Sequence, residues 1–179
     1  MEHEIRAVLT KEKYDELNKL FNDKYNKILD DKSITEKFRM DAVGKDIRIR
    51  YSENISEMVI KSNDPTNVSR LETSIYLKSA EDCKKMIEFL GEAGLKQDPP
   101  WLKTKQEFEM IYNGKKYVLS LQHIEKFAYI LEVELQTENF TEEHLYEMNQ
   151  ILRMFGCSRV DANLFKKMIK EYINTHQKS

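Results

Sequence analysis

Little in this sequence suggests a disulfide framework, a membrane span or a nucleic-acid surface. Its 179 residues include only two cysteines, Cys83 and Cys157, with no metal-ligand spacing between them. Free thiols buried in a reducing cytoplasm are the plainer expectation, although the sequence alone leaves a disulfide open. No apolar run approaches the length of a membrane span, and no basic stretch followed by an apolar one marks the start of the chain. A soluble, cytoplasmic protein without a membrane partner is expected. Lys and Arg number 29 against 31 Asp and Glu, so the basic excess expected of a protein that grips duplex nucleic acid is missing. There is no low-complexity tract and no Ser/His/Asp or Cys/His arrangement suited to nucleophilic catalysis. What remains is one domain spanning 1–179, 40% hydrophobic and 34% charged. That much charge has to cover a surface or fill a cavity.

Helical periodicity appears four times. Thr10 can cap a segment in which Tyr14, Leu17, Leu20 and Phe21 share a face. Ser79 opens a second, capping-box-like segment in which Met86, Phe89 and Leu90 follow, stopped by Gly91 and Gly94. Thr141 opens a third with Leu145, Met148, Ile151 and Leu152 inward. A fourth starts near Asp161 with the stripe Leu164, Phe165, Met168, Ile169, Tyr172 and Ile173. Between them, period-2 alternation predicts strands at 2–8, 38–40, 46–51, 57–61, 69–77, 102–112, 116–122 and 129–136. Asn113-Gly114 is a type I′ hairpin signal. Pro99-Pro100 breaks any continuing helix before the second half of the sheet. Strands outnumbering helices two to one indicate an α+β fold with a largely antiparallel sheet.

Alternation also sorts the faces. Glu2/Glu4/Arg6, Arg48/Arg50, Arg70/Glu72, Lys103/Lys105/Glu107/Glu109 and Glu132/Glu134 put charge on one side of each strand. Ile5, Ile47, Ile49, Leu71, Phe108, Leu131 and Val133 lie on the other. A sheet of this kind either exposes its charged face to water or closes around it. For any one strand the wet face is the ordinary outcome. Read together, the strands favour a cavity. Two Glu-x-Glu pairs meeting across strands would repel one another unless a divalent cation joined them, and hard cations such as Mg²⁺ or Mn²⁺ take carboxylate oxygens. Arg48, Arg50, Lys61, Arg70, Lys103 and Lys105, converging from different strands, would suit an extended polyanion. His3 adjoins the acids in sequence, but alternation points it to the opposite face.

The order of these motifs resembles the CYTH family of triphosphate tunnel metalloenzymes, which includes class IV adenylyl cyclases, thiamine triphosphatases and inorganic triphosphatases. The resemblance spans nearly the whole chain. It implies eight antiparallel strands closed into a β-barrel tunnel with a charged interior, flanked by about four helices. It implies that Glu2, Glu4, Glu132 and Glu134 bind Mg²⁺ or Mn²⁺, with Glu72 a further acid. It implies that Arg48, Arg50, Lys61, Arg70, Lys103 and Lys105 grip the triphosphate, and that Arg6 stands where the signature has Lys. The catalytic set would be Glu2, Glu4, Arg6, Glu132 and Glu134. Its members are often dimeric, which admits a homodimer here.

The chain departs from the family pattern in places. Gln122 replaces an Asp, Ala128 a Gly, Lys105 a common Arg, and Ser74 the second acid after Glu72. The leading expectation is metal-dependent hydrolysis of inorganic or organic triphosphate, a small-molecule substrate. The alternatives are a class IV-type adenylyl cyclase converting ATP to cyclic AMP, a catalytically weakened triphosphate- or polyphosphate-binding module with Gln122 in place of the Asp, and a structural domain with a charged wet face.

Overall fold

The computed structural model describes residues 2–62, 68–70 and 72–176, with the side chains of Ser62, Ser69 and Arg70 outside that description. The strands are β1 (Glu2–Leu9), β2 (Asn26–Met40), β3 (Lys45–Tyr51), β4 (Ser56–Ser62), β5 (Ser69–Arg70), β6 (Glu72–Tyr76), β7 (Lys96–Gln97), β8 (Trp101–Tyr112), β9 (Lys115–Ile124) and β10 (Ala128–Gln136). The helices are α1 (Lys11–Lys24), α2 (Ala80–Glu92), α3 (Glu142–Met154) and α4 (Ala162–His176). No helix among the described residues is long and apolar enough to cross a membrane.

All ten strands belong to one antiparallel sheet in the order β5-β1-β10-β9-β8-β2-β3-β4-β6, with β7 paired to β2. The α+β antiparallel class expected from periodicity is the class observed. No hydrogen-bonded pairing between β5 and β6 joins the two ends of this order among the described residues, so the ladder does not trace the closed eight-stranded barrel that the resemblance implied. The two ends are nevertheless neighbours in sequence: β5 finishes at Arg70, β6 begins at Glu72, and only Leu71, outside the described residues, lies between.

The largest departure from the expected strands is β2. Periodicity finds only its last three residues, whereas the strand runs for 15. Its first part, Asn-Lys-Ile-Leu-Asp-Asp-Lys-Ser, is rich in residues that disfavour strands. It is held by pairing along its length with β8, and its end by β3, despite an irregularity between Lys27 and Leu29. The hairpin signal reads as expected: Asn113 and Gly114 both have positive φ, 49° and 74°, as the type I′ turn between β8 and β9 requires.

Apolar residues on the outer face of the sheet pack under the helices. Ile5, Ala7, Phe108, Leu119, Leu131 and Val133 meet Leu17 and Phe21 of α1 and Met148, Ile151 and Leu152 of α3. Phe38, Ile47 and Ile49 meet Cys83 and Leu90 of α2. Thr10, Ser79 and Thr141 cap α1, α2 and α3 as the spacing predicts, each accepting from a backbone N–H three residues on. Leu164, expected on the apolar stripe of α4, is 52% exposed, and Phe89 of α2 is 66% exposed. Both cysteines are buried and free. His3 sits on the outer face, stacked on Phe140 at 4.1 Å with Nε2 3.0 Å from the Thr137 carbonyl oxygen.

A candidate metal and polyanion site inside the sheet

The opposite face of the sheet curls around a cavity of about 990 Å³ that takes side chains from β1, β2, β3, β4, β6, β7, β8, β9 and β10. Seven lysines and four arginines line it against six glutamates, in a chain whose net charge is −2. The near-neutral composition therefore conceals a strongly segregated interior. Strand parity is the cause, because residues two apart project to one side and register aligns them across strands. Glu4 lies opposite Glu134, Arg6 opposite Glu132, Lys105 opposite Gln122 and Lys61 opposite Glu72.

Three of the four paired glutamates come together. Glu2, Glu4 and Glu134 each present a carboxylate oxygen within 4.8 Å of the others. Burial raises the pKa of Glu134 to about 8, helped by the charges of Glu132 and Glu2 and opposed by Lys105. Glu2 is raised too, by burial first and then by Glu4 and Glu72, against the pull of Lys61. Carboxylates that raise one another's pKa form a donor set suited to a hard divalent cation with oxygen ligands. By this chemistry the residues fit Mg²⁺ or Mn²⁺.

Glu132 is placed differently. It pairs with Arg6 Nε at 3.2 Å and accepts a hydrogen bond from Gln122 Nε2. Gln122 also donates to Ser120 Oγ at 3.0 Å. The residue that replaces the Asp of the resemblance thus serves as a neutral donor beside Glu132. Arg6 also pairs with Glu4, so one guanidinium ties the two strands together. Glu72 pairs with Lys61 and lines the cavity near Glu2.

The bases fall into two kinds. Arg48 is gripped through Nε and Nη2 by Asp46, at 2.8 and 3.2 Å, and Arg50 through Nη1 by Glu57 at 2.8 Å. Asp46 and Glu57 are buried and share the inward face with the arginines they fix, Asp46 two residues before Arg48 and Glu57 directly across from Arg50. Lys105 pairs with Glu107 and reaches Glu134 at 3.6 Å. Lys103 has no ion-pair partner among the described residues. Burial, then the charges of Arg50 and Lys105, push its amine well below the usual lysine range. The backbone of Arg70 pairs with Glu2, and its side chain lies outside the described residues.

Periodicity missed Thr35 and Lys37 because it missed most of β2, and it did not single out Arg39, which lies in the expected 38–40 strand, or Lys96 on the two-residue β7. Thr35, Lys37 and Arg39 project into the cavity from β2, and Lys96 joins them from β7. The Lys37-x-Arg39 spacing, the same as Arg48-x-Arg50, was the available signal. Also missed were Asp46 and Asp98, both buried. Lys37 lies 3.4 Å from each, and Arg39 Nε 3.0 Å from Asp98.

A scan against protein-family models gives no match, and neither does a search of curated proteins. Solved structures do match. PH1819 from Pyrococcus horikoshii is 18% identical with a TM-score of 0.71, covering 93% of this chain and 99% of its own. HpAC1 from Hippeastrum, a candidate adenylyl cyclase with a dominant triphosphatase activity, is 15% identical with a TM-score of 0.68 over the full length of both chains. A candidate adenylate cyclase from Vibrio parahaemolyticus is 15% identical with a TM-score of 0.65, covering 94% and 97%. The chain shares the fold of these solved structures, candidate adenylate cyclases among them, in agreement with the CYTH resemblance. In this fold, α4 lies against the cavity. Phe165 packs on the inward-facing Ile124 and Ile130, and the Arg6 guanidinium lies 4.9 Å from the centre of its ring. Trp101 is engaged by its neighbours, stacked on Phe127 at 5.3 Å and edge-on to Tyr172 at 6.2 Å.

Proposed function

We propose that this chain is a triphosphate tunnel enzyme that hydrolyses a triphosphate with the help of a divalent cation. The observation that carries this reading is the convergence, in one cavity, of Glu2, Glu4 and Glu134 with bases from six strands. The adjacency of β5 and β6 supports a closed tunnel, since the chain itself would join the ends of the ladder across a single residue. The acids Glu2, Glu4 and Glu134 would hold Mg²⁺ or Mn²⁺, with Glu72 nearby. When bound, the metal supplies Lewis-acid neutralisation of phosphate oxygens.

The chain's own groups account for the rest. Phosphoryl transfer to water needs no protein nucleophile, and its catalysis is positioning plus electrostatic stabilisation. Arg48 and Arg50, held in place by Asp46 and Glu57, present preorganised donors to the phosphates. Lys103, buried without a carboxylate of its own, is the base most in need of an anion. Lys61 and Lys105 stand between the acids and the other bases, where a polyanion bound to both would pass. Arg6 orients Glu4 and Glu132 through its two ion pairs.

The test is phosphate release from inorganic triphosphate, thiamine triphosphate and ATP, each with Mg²⁺, with Mn²⁺ and with chelator. Metal-dependent phosphate release is the expected result. Cyclic AMP formation would replace this reading with the cyclase, and tight triphosphate binding without turnover would replace it with a binding module. Absence of both binding and turnover would refute it.

A further inference from the structure

The cations of the cavity do not stop at Arg48 and Arg50. Lys37 lies directly across from Arg48, and Arg39 is the next inward residue along β2, with Lys96 across from it on β7. Successive inward residues are about 6–7 Å apart along a strand. A row of positive charge thus runs from Arg50 through Arg48 and Lys37 to Arg39 and Lys96, beyond the bases assigned to the triphosphate. Two buried acids lie among the cations of its far part. Asp98 pairs with Lys37 and Arg39, and Asp46 with Lys37 and Arg48. Asp98 is fixed by its own backbone, whose N–H donates to the Lys37 carbonyl at 2.8 Å.

Helix α4 closes over the same cavity. Tyr172 Oη donates to the Pro100 carbonyl at 3.0 Å, docking the helix on the segment that joins β7 to β8. One face of α4 then adds Lys170, Ile173 and Asn174 to the cavity lining. Trp101, the aromatic nearest to this docking point, is already stacked, so the region offers charge more readily than a platform for a base. The cavity lies at the top of the roughly 300–1,000 Å³ range of ligand pockets, far more room than inorganic triphosphate fills.

We propose that Lys37, Arg39, Lys96 and Lys170 form a second anion subsite, and that the favoured ligand is a linear inorganic polyphosphate of more than three phosphates. The proposal rests on the triphosphate reading above and deepens it. The first three phosphates take the bases around Lys103, and the extension lies along β2 beneath α4. Asp98 and Asp46 act as positioning residues that hold the extension's cations on the wall.

The test is calorimetric titration of the full chain, in the presence of Mg²⁺, with inorganic triphosphate and with a linear polyphosphate of defined longer length. The longer chain is expected to bind about tenfold or more tightly per molecule, in keeping with added charge-assisted hydrogen bonds. Lys170→Gln, on the exposed surface of α4, should reduce the ratio of the two affinities several-fold. Arg39→Gln alone would leave the buried Asp98 with Lys37 as its remaining ion-pair partner, so it is made together with Asp98→Asn, and the pair should reduce that ratio further. Equal affinities in the unaltered protein, or variants that weaken both ligands alike, would overturn the subsite and leave the triphosphate reading standing. Failure of both ligands to bind would overturn the two together.

Discussion

At the scale of single residues, Glu134 and Glu132 stand two apart on one strand in different surroundings. Glu134 faces other carboxylates, while Glu132 faces Arg6 and Gln122. Glu134→Gln is therefore expected to weaken Mn²⁺ binding by about tenfold or more, and Glu132→Gln by much less, as measured by calorimetry. Protonation gives a second handle. The pKa of Glu134 in the metal-free protein is raised to about 8, mainly by burial, above its ordinary carboxylate value. A raised pKa favours the fold below the ordinary carboxylate range, and that advantage is lost as pH rises through about 8. A bound cation would offset the loss, so metal should raise the unfolding temperature more at pH 8 than at pH 6. Equal shifts would contradict the assignment. Gln122 illustrates what a substitution alone cannot show. The change from Asp removes a charge, but only the structure reveals that the amide donates to Glu132 and Ser120. Gln122→Asp should lower metal-free stability by about 1–3 kcal/mol, since Glu132 loses a donor and gains a like charge. Chemical denaturation with and without metal would measure this.

At the scale of elements, the hairpin of β8 and β9 is fastened to α3 by one carboxylate. Glu147 accepts from Tyr117 Oη at 2.5 Å, Lys115 Nζ at 2.8 Å and Asn113 Nδ2 at 3.1 Å. Although burial works against its charge, these bonds lower its pKa to about 2. A depressed pKa contributes stability above the ordinary carboxylate range and loses it as pH falls toward about 2. Glu147→Ala should cost about 1–3 kcal/mol, because it leaves the buried Tyr117 hydroxyl unpaired. It should also flatten the loss of stability in acid, as urea titrations at pH 3 and pH 7 would show. The helices and the paired turn were legible because capping residues and Asn-Gly act locally. The first part of β2 was not, because its acidic and lysine-rich run forms a strand only through partners more than 60 residues away. Thr35 and Lys37 fell outside the expected strands with it, whereas Arg39 and Asp46 lay inside expected strands and were not singled out because one position on a strand does not show which charges converge.

At the scale of the whole molecule, a chain of nearly balanced charge is divided by strand alternation into an apolar outer face under helices and a cationic interior. That division was legible from parity alone. The convergence of distant strands on one cavity was not, since it depends on register and on how the sheet curls. The motif order supplied it as a resemblance, and the antiparallel sheet with solved relatives of the same fold agrees with it. The central claim is that this interior binds a metal and a triphosphate together. Its most direct test is calorimetric titration with inorganic triphosphate in the presence of Mn²⁺ and again with chelator. Strong binding that weakens by about tenfold or more without metal is the predicted result. Binding that is absent, or indifferent to the metal, would contradict it.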